Sequence, residues 1–255
     1  MDLHLAPWVY PVLFLTGFAS GLVDSIAGGG GVIALPVLLS LGFPAPFALG
    51  TNKFQASFGS FTAARHYARQ GLVDLRSCLP GIGATLAGAL AGAWLVRSID
   101  AQVLGRLIPW LLAAIVAYMI FRPQLGDADR APRMGAGAFA LLFGLGLGFY
   151  DGFFGPGTGS FWTIAYVLVL GYNFSKATGY TKVMNCTSNL AALALFALAG
   201  KIKFVAGGVM AVGQVTGAWV GAGLVVKRGA RFVRPIFLTM AALTIGRLLW
   251  SEFVR

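Results

Sequence analysis

The chain has 255 residues, of which 58% are hydrophobic and only 11% charged, and its mean hydropathy is +0.80. That is too little polarity to coat a soluble globule, and no soluble domain of useful size remains once the apolar runs are set aside. The formal net charge of +11 does not point to nucleic acid, because Lys and Arg fall mostly in the short gaps between apolar runs, as topology determinants do.

Charge clusters and Gly/Pro punctuation divide the chain into about ten apolar segments, predicted near 8–27, 31–42, 46–67, 75–96, 101–121, 134–153, 159–171, 174–198, 203–226 and 231–251. The first follows Asp2 and His4 instead of a basic leader, so it reads as a retained span and not as a cleaved signal peptide. It carries Asp24 and stops at Gly28-Gly29-Gly30-Gly31. Segment 31–42 has only about a dozen residues, too few to cross ~30 Å of hydrocarbon, and reads as a half-helix or re-entrant element. Segment 46–67 holds Thr51, Asn52, Lys53, Gln55 and Ser57. Asn52 and Gln55 share a helical face near the lysine, and such a face avoids lipid. Segment 75–96 contains Gly88-x-x-x-Gly92, a close-packing motif expected to work within the protomer, with a homodimer as the alternative.

After segment 101–121 comes a polar stretch, 123–133, read as a cytoplasmic linker. The pattern then starts again. Segment 134–153 carries Asp151 and stops at Gly155-Pro156-Gly157-Thr158-Gly159; segment 159–171 is again short; segment 174–198 holds Thr181, Lys182, Asn185, Ser188 and Asn189; segment 203–226 holds Gly217-x-x-x-Gly221. Asp24 matches Asp151 at an offset of 127, and after a two-residue slip an offset of 129 pairs Gly42 with Gly171, Lys53 with Lys182, and Gly71 with Gly200. Matches of Asp with Asp and Lys with Lys carry the argument, since charges are few and glycines many. The chain therefore reads as repeat 1 (1–122), linker (123–133) and repeat 2 (134–255). Five segments per repeat is an odd number, so the repeats should be inverted. This threading puts eleven Lys and Arg on one side and six on the other, which assigns the first set to the cytoplasm and both termini to the far side.

The two glycine breaks are candidate substrate-binding elements. Backbone interrupted at membrane depth must line a cavity or be buried in protein, and the short helices that follow would aim free N–H groups at the protein centre, where they hold anions. Glycines that merely ease helix packing are the competing explanation. The candidates are Gly28, Gly29, Gly30, Gly31, Gly155, Gly157, Thr158 and Gly159. Lys53 and Lys182 are the second set, because an ammonium in a span costs ~2.5–3.5 kcal/mol and needs a cavity or a partner; snorkelling to the headgroups is the alternative. Thr51, Asn52, Gln55, Thr181 and Asn185 complete the candidate substrate site, with interhelical hydrogen bonding as their plainer role. Asp24 and Asp151 are the carboxylates well inside apolar segments. Burial favours the protonated acid, which makes each a candidate proton carrier. Pairing with a lysine of either half, or capping a short helix, explains them equally well. Cys78 and Cys186 read as small buried hydrophobes.

No Walker loop, metal-spaced His or Cys pair, or Ser/His/Asp set is present, and His4 and His66 are the only histidines. An enzyme is not expected, nor any cofactor or metal. The expected partners are a small anionic substrate and the lipid bilayer, not nucleic acid.

The pattern Gly21-x-x-Asp24 through Gly28–Gly31, then Pro36, Gly42 and Gly50-Thr51-Asn52, resembles the signature of the TauE/SafE sulfite exporter family, and its echo at Gly148 to Lys182 resembles that family's second half. The resemblance covers nearly the whole chain. It implies a cell-membrane permease for sulfite, sulfonates or other organosulfur anions, driven by the proton gradient or by the anion's own. It places weight on Gly28–Gly31, Thr51–Lys53, Gly155–Gly159 and Thr181–Lys182. Pro156 and Thr158 interrupt the second glycine run, so the two half-sites need not be equivalent. The fold expected is an all-α polytopic membrane protein of about eight to ten spanning or half-spanning helices in two inverted repeats, working by alternating access. A passive anion channel, or a carrier for a non-sulfur anion, is the alternative.

Overall fold

The computed structural model describes residues 6–121 and 128–228. Among them the regular structure is entirely helical: α1 (Val9–Ala27), α2 (Gly30–Ser40), α3 (Ala45–Arg69), α4 (Leu79–Arg97), α5 (Ala101–Phe121), α6 (Ala136–Phe153), α7 (Thr158–Leu168), α8 (Phe174–Leu198) and α9 (Phe204–Arg228). These are the first nine expected segments in order. The tenth, 231–251, lies outside the described residues. Among the described residues four helices are long and apolar enough to cross a membrane: α1, α4, α6 and α9. With 11 residues each, α2 and α7 extend only about 16 Å, half of a bilayer core.

Local chemistry sets the boundaries. α3, α8 and the helices before Gly42 and Gly171 end at glycines with positive φ (Gly42, Gly71, Gly171 and Gly200). After Gly42, Gly71 and Gly200 the next N–H reaches back to close the last turn, as with Leu72 to the Tyr67 carbonyl at 3.1 Å and Lys201 to the Phe196 carbonyl at 2.9 Å. Asn173 caps α8, its side chain accepting from the Lys176 N–H at 3.0 Å. The same stretch ties down the end of the interhelical linker: Arg130 N–H donates to the Gly171 carbonyl at 2.7 Å, Arg133 N–H to that of Val169 at 2.8 Å, and Asn173 N–H to Asp129 Oδ1 at 2.6 Å.

Packing explains how two polar helices survive here. At 25 residues, α3 and α8 are long enough to span, yet neither is apolar enough to face lipid along its length. They pack on one another at the centre, α3 also against α9 and α8 against α4. Outside them α1 pairs closely with α9, and α4 with α6. Every one of Thr51, Asn52, Lys53, Gln55, Ser57, Ser60, Thr181, Lys182, Asn185, Ser188 and Asn189 is buried as a result. The contact pattern has a regularity: exchanging α1 with α6 and α4 with α9 carries one outer pair onto the other.

Glycines let these outer pairs touch backbone to backbone. A Cβ on Gly88 or Gly92 would collide with the Leu145 or Phe149 carbonyl of α6, and one on Gly217 with the Phe18 carbonyl of α1. The two small-xxx-small motifs thus serve contacts inside the protomer, where close approach raises dispersion energy that apolar burial cannot supply in lipid. Gly146, on α6, has open space at its Cβ position. Gly92→Val and Gly217→Val should each lower the melting temperature of the detergent-solubilised protein by at least about 5 °C, with Gly146→Val unchanged, as followed by fluorescence-detected size exclusion.

Candidate functional site

The two glycine breaks meet at the centre. α1 ends at Gly28 (φ 70°) and Gly29 (φ 122°), and the α6–α7 turn uses Gly155 (φ 99°) and Gly157 (φ 82°), conformations that side chains resist. The breaks touch: a Cβ on Gly28 would strike the backbone of Gly159, and Ser160 Oγ donates to the Gly28 carbonyl at 3.2 Å. Both short helices therefore begin in the protein interior, and the glycine carbonyls of the breaks accept part of their first turns: Val32 N–H donates to Gly29 at 2.9 Å, Thr158 N–H to Gly155 at 3.1 Å and Ser160 N–H to Gly157 at 2.9 Å.

The central charges are paired across the halves. Lys53 Nζ of α3 lies 2.6 Å from Asp151 Oδ1 of α6 and donates also to Asn189 Oδ1 of α8 at 3.2 Å. Ser188 Oγ donates to the other Asp151 oxygen. Lys182 Nζ of α8 lies 3.3 Å from Asp24 Oδ2 of α1, and Asp24 Oδ1 accepts the Gly29 N–H at 3.2 Å. Each lysine thus takes its counter-charge from the aspartate of the other half, and Asp24 also caps the glycine break. Snorkelling is excluded for both: the two lysine side chains are 2% and 0% exposed.

Between the breaks lies a cavity of about 30 Å³, lined by Asp24, Gly29, Gly30, Gly31, Asn52, Lys53, Ala56, Asp151, Gly155, Thr158, Gly159, Asn185, Asn189 and Gln214. That is room for about two water molecules. Eleven of the residues singled out from sequence line it. Gly28 and Gly157 shape the turns behind it. Thr51 accepts the Lys203 N–H at 3.1 Å, Thr181 shares a hydrogen bond of 3.2 Å with Thr163, and Gln55 Nε2 donates to Asn52 Oδ1 at 2.9 Å. These three are buried polar contacts near the cavity, not part of its lining. Lys182 contacts Asp24 but is not itself part of the lining. Among the described residues Lys182 Nζ, Asn185 Oδ1 and Gln214 Oε1 are buried without a hydrogen-bond partner.

Sequence reasoning left three wall residues, Ala56, Asn189 and Gln214, out of the candidate site. Asn189 was visible as a polar companion one turn beyond Asn185. Gln214 gave no signal, since it sits within an otherwise apolar span and its repeat position holds Thr85.

This geometry sits inside a match to known proteins. The family model described as "Sulfite exporter TauE/SafE" matches residues 13–248. The chain belongs to this family. It is 42% identical over 241 residues to a probable membrane transporter protein of Haemophilus influenzae, covering 94% of both chains. It is 41% identical over 248 residues to the probable membrane transporter protein YfcA of Escherichia coli K12, covering 97% of this chain and 92% of that one. A probable membrane transporter protein, ORF9, of a Sinorhizobium species is 40% identical over 237 residues, 93% of this chain and 91% of its own. No solved structure matches. Membership in the TauE/SafE family, together with four apolar helices of spanning length, makes this a multi-pass, membrane-embedded protein of a transporter family.

The cysteines stand apart from the site. Both are free thiols, Cys78 buried and Cys186 half-buried. Cys78 precedes α4, and burial, with Asp74 adding to it, pushes its thiol up to about 11. Deprotonation is needed for reaction, so a Cys186→Ser protein should resist maleimide at pH 7.5 while folded and label fully when denatured. Rapid labelling of the folded protein at that pH would contradict the burial of Cys78.

Proposed function

We propose that this protein is a cell-membrane permease for a small anion, with sulfite, sulfonates and other organosulfur anions as the substrate class, and that it is not an enzyme. The carrying observation is a polar cavity in a membrane-embedded protein, lined by Lys53 and by residues of both glycine breaks, with a second buried lysine, Lys182, against its wall residue Asp24. Two ammonium groups and the N-termini of two half-helices together favour a negative ligand. The substrate class comes from the family's description alone.

In this reading residues 1–122 and 134–255 are inverted repeats joined by the 123–133 linker, with both termini non-cytoplasmic. The matched order of elements, the paired positive-φ glycines and the exchange regularity of the helix contacts support it. The substrate site comprises the breaks, Lys53, Lys182 and the neighbouring amides and hydroxyls. Asp24 and Asp151 are the candidates for proton coupling, since each neutralises a lysine that the anion needs. A cavity smaller than the anion means that the halves rearrange to admit it, which favours alternating access over an open channel. The lipid bilayer is the partner at the outer helices; a homodimer is compatible with their exposed apolar faces, and no nucleic acid is involved.

The test is counterflow in proteoliposomes. Vesicles preloaded with unlabelled sulfite should transiently accumulate labelled sulfite above its equilibrium level, with sulfate, thiosulfate and taurine tried in parallel. Simple equilibration without overshoot would indicate a channel, and no protein-dependent flux of any of these would overturn the permease reading.

A further inference from the structure

The two crossed ion pairs look equivalent by repeat symmetry, but their surroundings differ. Lys53–Asp151 is a closed set: the ammonium has two acceptors, at 2.6 and 3.2 Å, and the carboxylate's second oxygen is held by Ser188. Asp151 is 4% exposed. Lys182–Asp24 is loose. Its 3.3 Å contact lacks hydrogen-bond geometry, the ammonium has no hydrogen-bond partner among the described residues, and Asp24 is 14% exposed on the cavity wall.

The cause is in the sequence. At the 129 offset, Ser188 and Asn189, which brace the first pair, correspond to Gly59 and Ser60. Glycine offers no hydroxyl to the Asp24 carboxylate, and Gln214 of α9 fills the space that a side chain at Gly59 would occupy. Charge-assisted hydrogen bonds are about twice as strong as neutral ones, so a pair without them is the easier to part.

We infer that the two lysines have different roles, which narrows the exchange of counter-charge to one of them: Asp24 is a displaceable counter-ion that a substrate anion replaces on Lys182, whereas Lys53–Asp151 stays closed as a tie between α3, α6 and α8, leaving Asp24 of the two aspartates to couple to protons. This deepens the permease reading and rests on it for the identity of the displacing ligand. Asp24 lines the cavity, and Lys182 Nζ lies 3.3 Å from its carboxylate and 3.4 Å from the Cβ position of Gly159, another wall residue, so the ammonium sits within reach of an anion that takes the carboxylate's place. The anion arriving there would also meet Asn185, whose Nδ2 lies beside Gly159, and the N-terminus of α2 at Gly30 and Gly31, which line the cavity. Asp24 keeps an acceptor for the Gly29 N–H whether or not it is charged, so the break survives the exchange.

Two measurements test this. The first needs no substrate: double-mutant melting cycles on the full chain in detergent. Lys53→Met should lower the melting temperature by about 10 °C, with much of the loss recovered in Lys53→Met/Asp151→Asn, while the cycle with Lys182→Met and Asp24→Asn should show a coupling of less than half that size. The double variant keeps the test readable if Lys53→Met alone does not fold. The second is the half-saturation concentration for sulfite in proteoliposomes. Asp24→Asn should lower it, because the competing carboxylate is gone, and Lys182→Gln should raise it at least tenfold. Equal couplings in the two cycles, or an Asp24→Asn value raised as far as that of Lys182→Gln, would overturn the inference. If the wild-type protein moves neither sulfite nor the other anions tried, the permease reading falls, and the melting cycles still decide whether the two ties differ.

Discussion

An ammonium group cannot rest in hydrocarbon without an opposing charge, and this protein places two of them at its centre. The lysines sit on α3 and α8, and the aspartates that neutralise them sit on α1 and α6, each from the opposite half of the chain. The tie is therefore reciprocal. Neither half carries the neutralising group for its own lysine, so the buried charges are satisfied only when the halves are docked. Removing one partner of such a pair leaves an uncompensated buried charge, at a cost of about 3–5 kcal/mol, so each pairing constrains which docking of the halves the centre accepts.

The remainder of the fold serves to keep lipid away from that centre. The hydrophobic effect does not drive helices together inside a membrane, so contact must come from close packing and polar bonds. The outer pairs, α1 with α9 and α4 with α6, use glycines to bring backbones into contact and surround the polar pair α3 and α8. The short helices α2 and α7 then enter from the breaks. Irregular backbone at Gly28–Gly29 and Gly155–Gly157 is tolerable because it lies against protein and a polar cavity.

Symmetry of arrangement does not bring symmetry of chemistry. Ser188 and Asn189 brace one ion pair, and Gly59 and Ser60 fail to brace the other, while Gln214 enters from α9 where the corresponding residue of α4 is Thr85. In the proposed permease one counter-ion would yield to substrate while the scaffold holds, and a tight pair and a loose pair of the same residue types would divide those tasks.

Much of this was legible from sequence because the membrane imposes strong rules. Apolar run length located the nine helices of the described residues to within a few residues, and the shortness of 31–42 and 159–171 marked α2 and α7, since half a bilayer admits only about eleven residues. The recurrence of Asp, Gly and Lys at offsets of 127 and 129 identified the breaks and the buried charges, because charge in a span persists only with a partner. Which partner was not legible. Asp24 and Asp151 admitted three roles on sequence alone; folding gives both of them the opposite half's lysine and gives Asp24 the Gly29 amide as well. Likewise Gln214 sits in an apolar run and reaches the cavity only because α9 packs against α1 and α3. The sequence by itself determined what the bilayer would accept along one chain, whereas the crossed pairing and the inequality of the two sites came from contacts between residues some hundred positions apart, which periodicity and spacing do not encode.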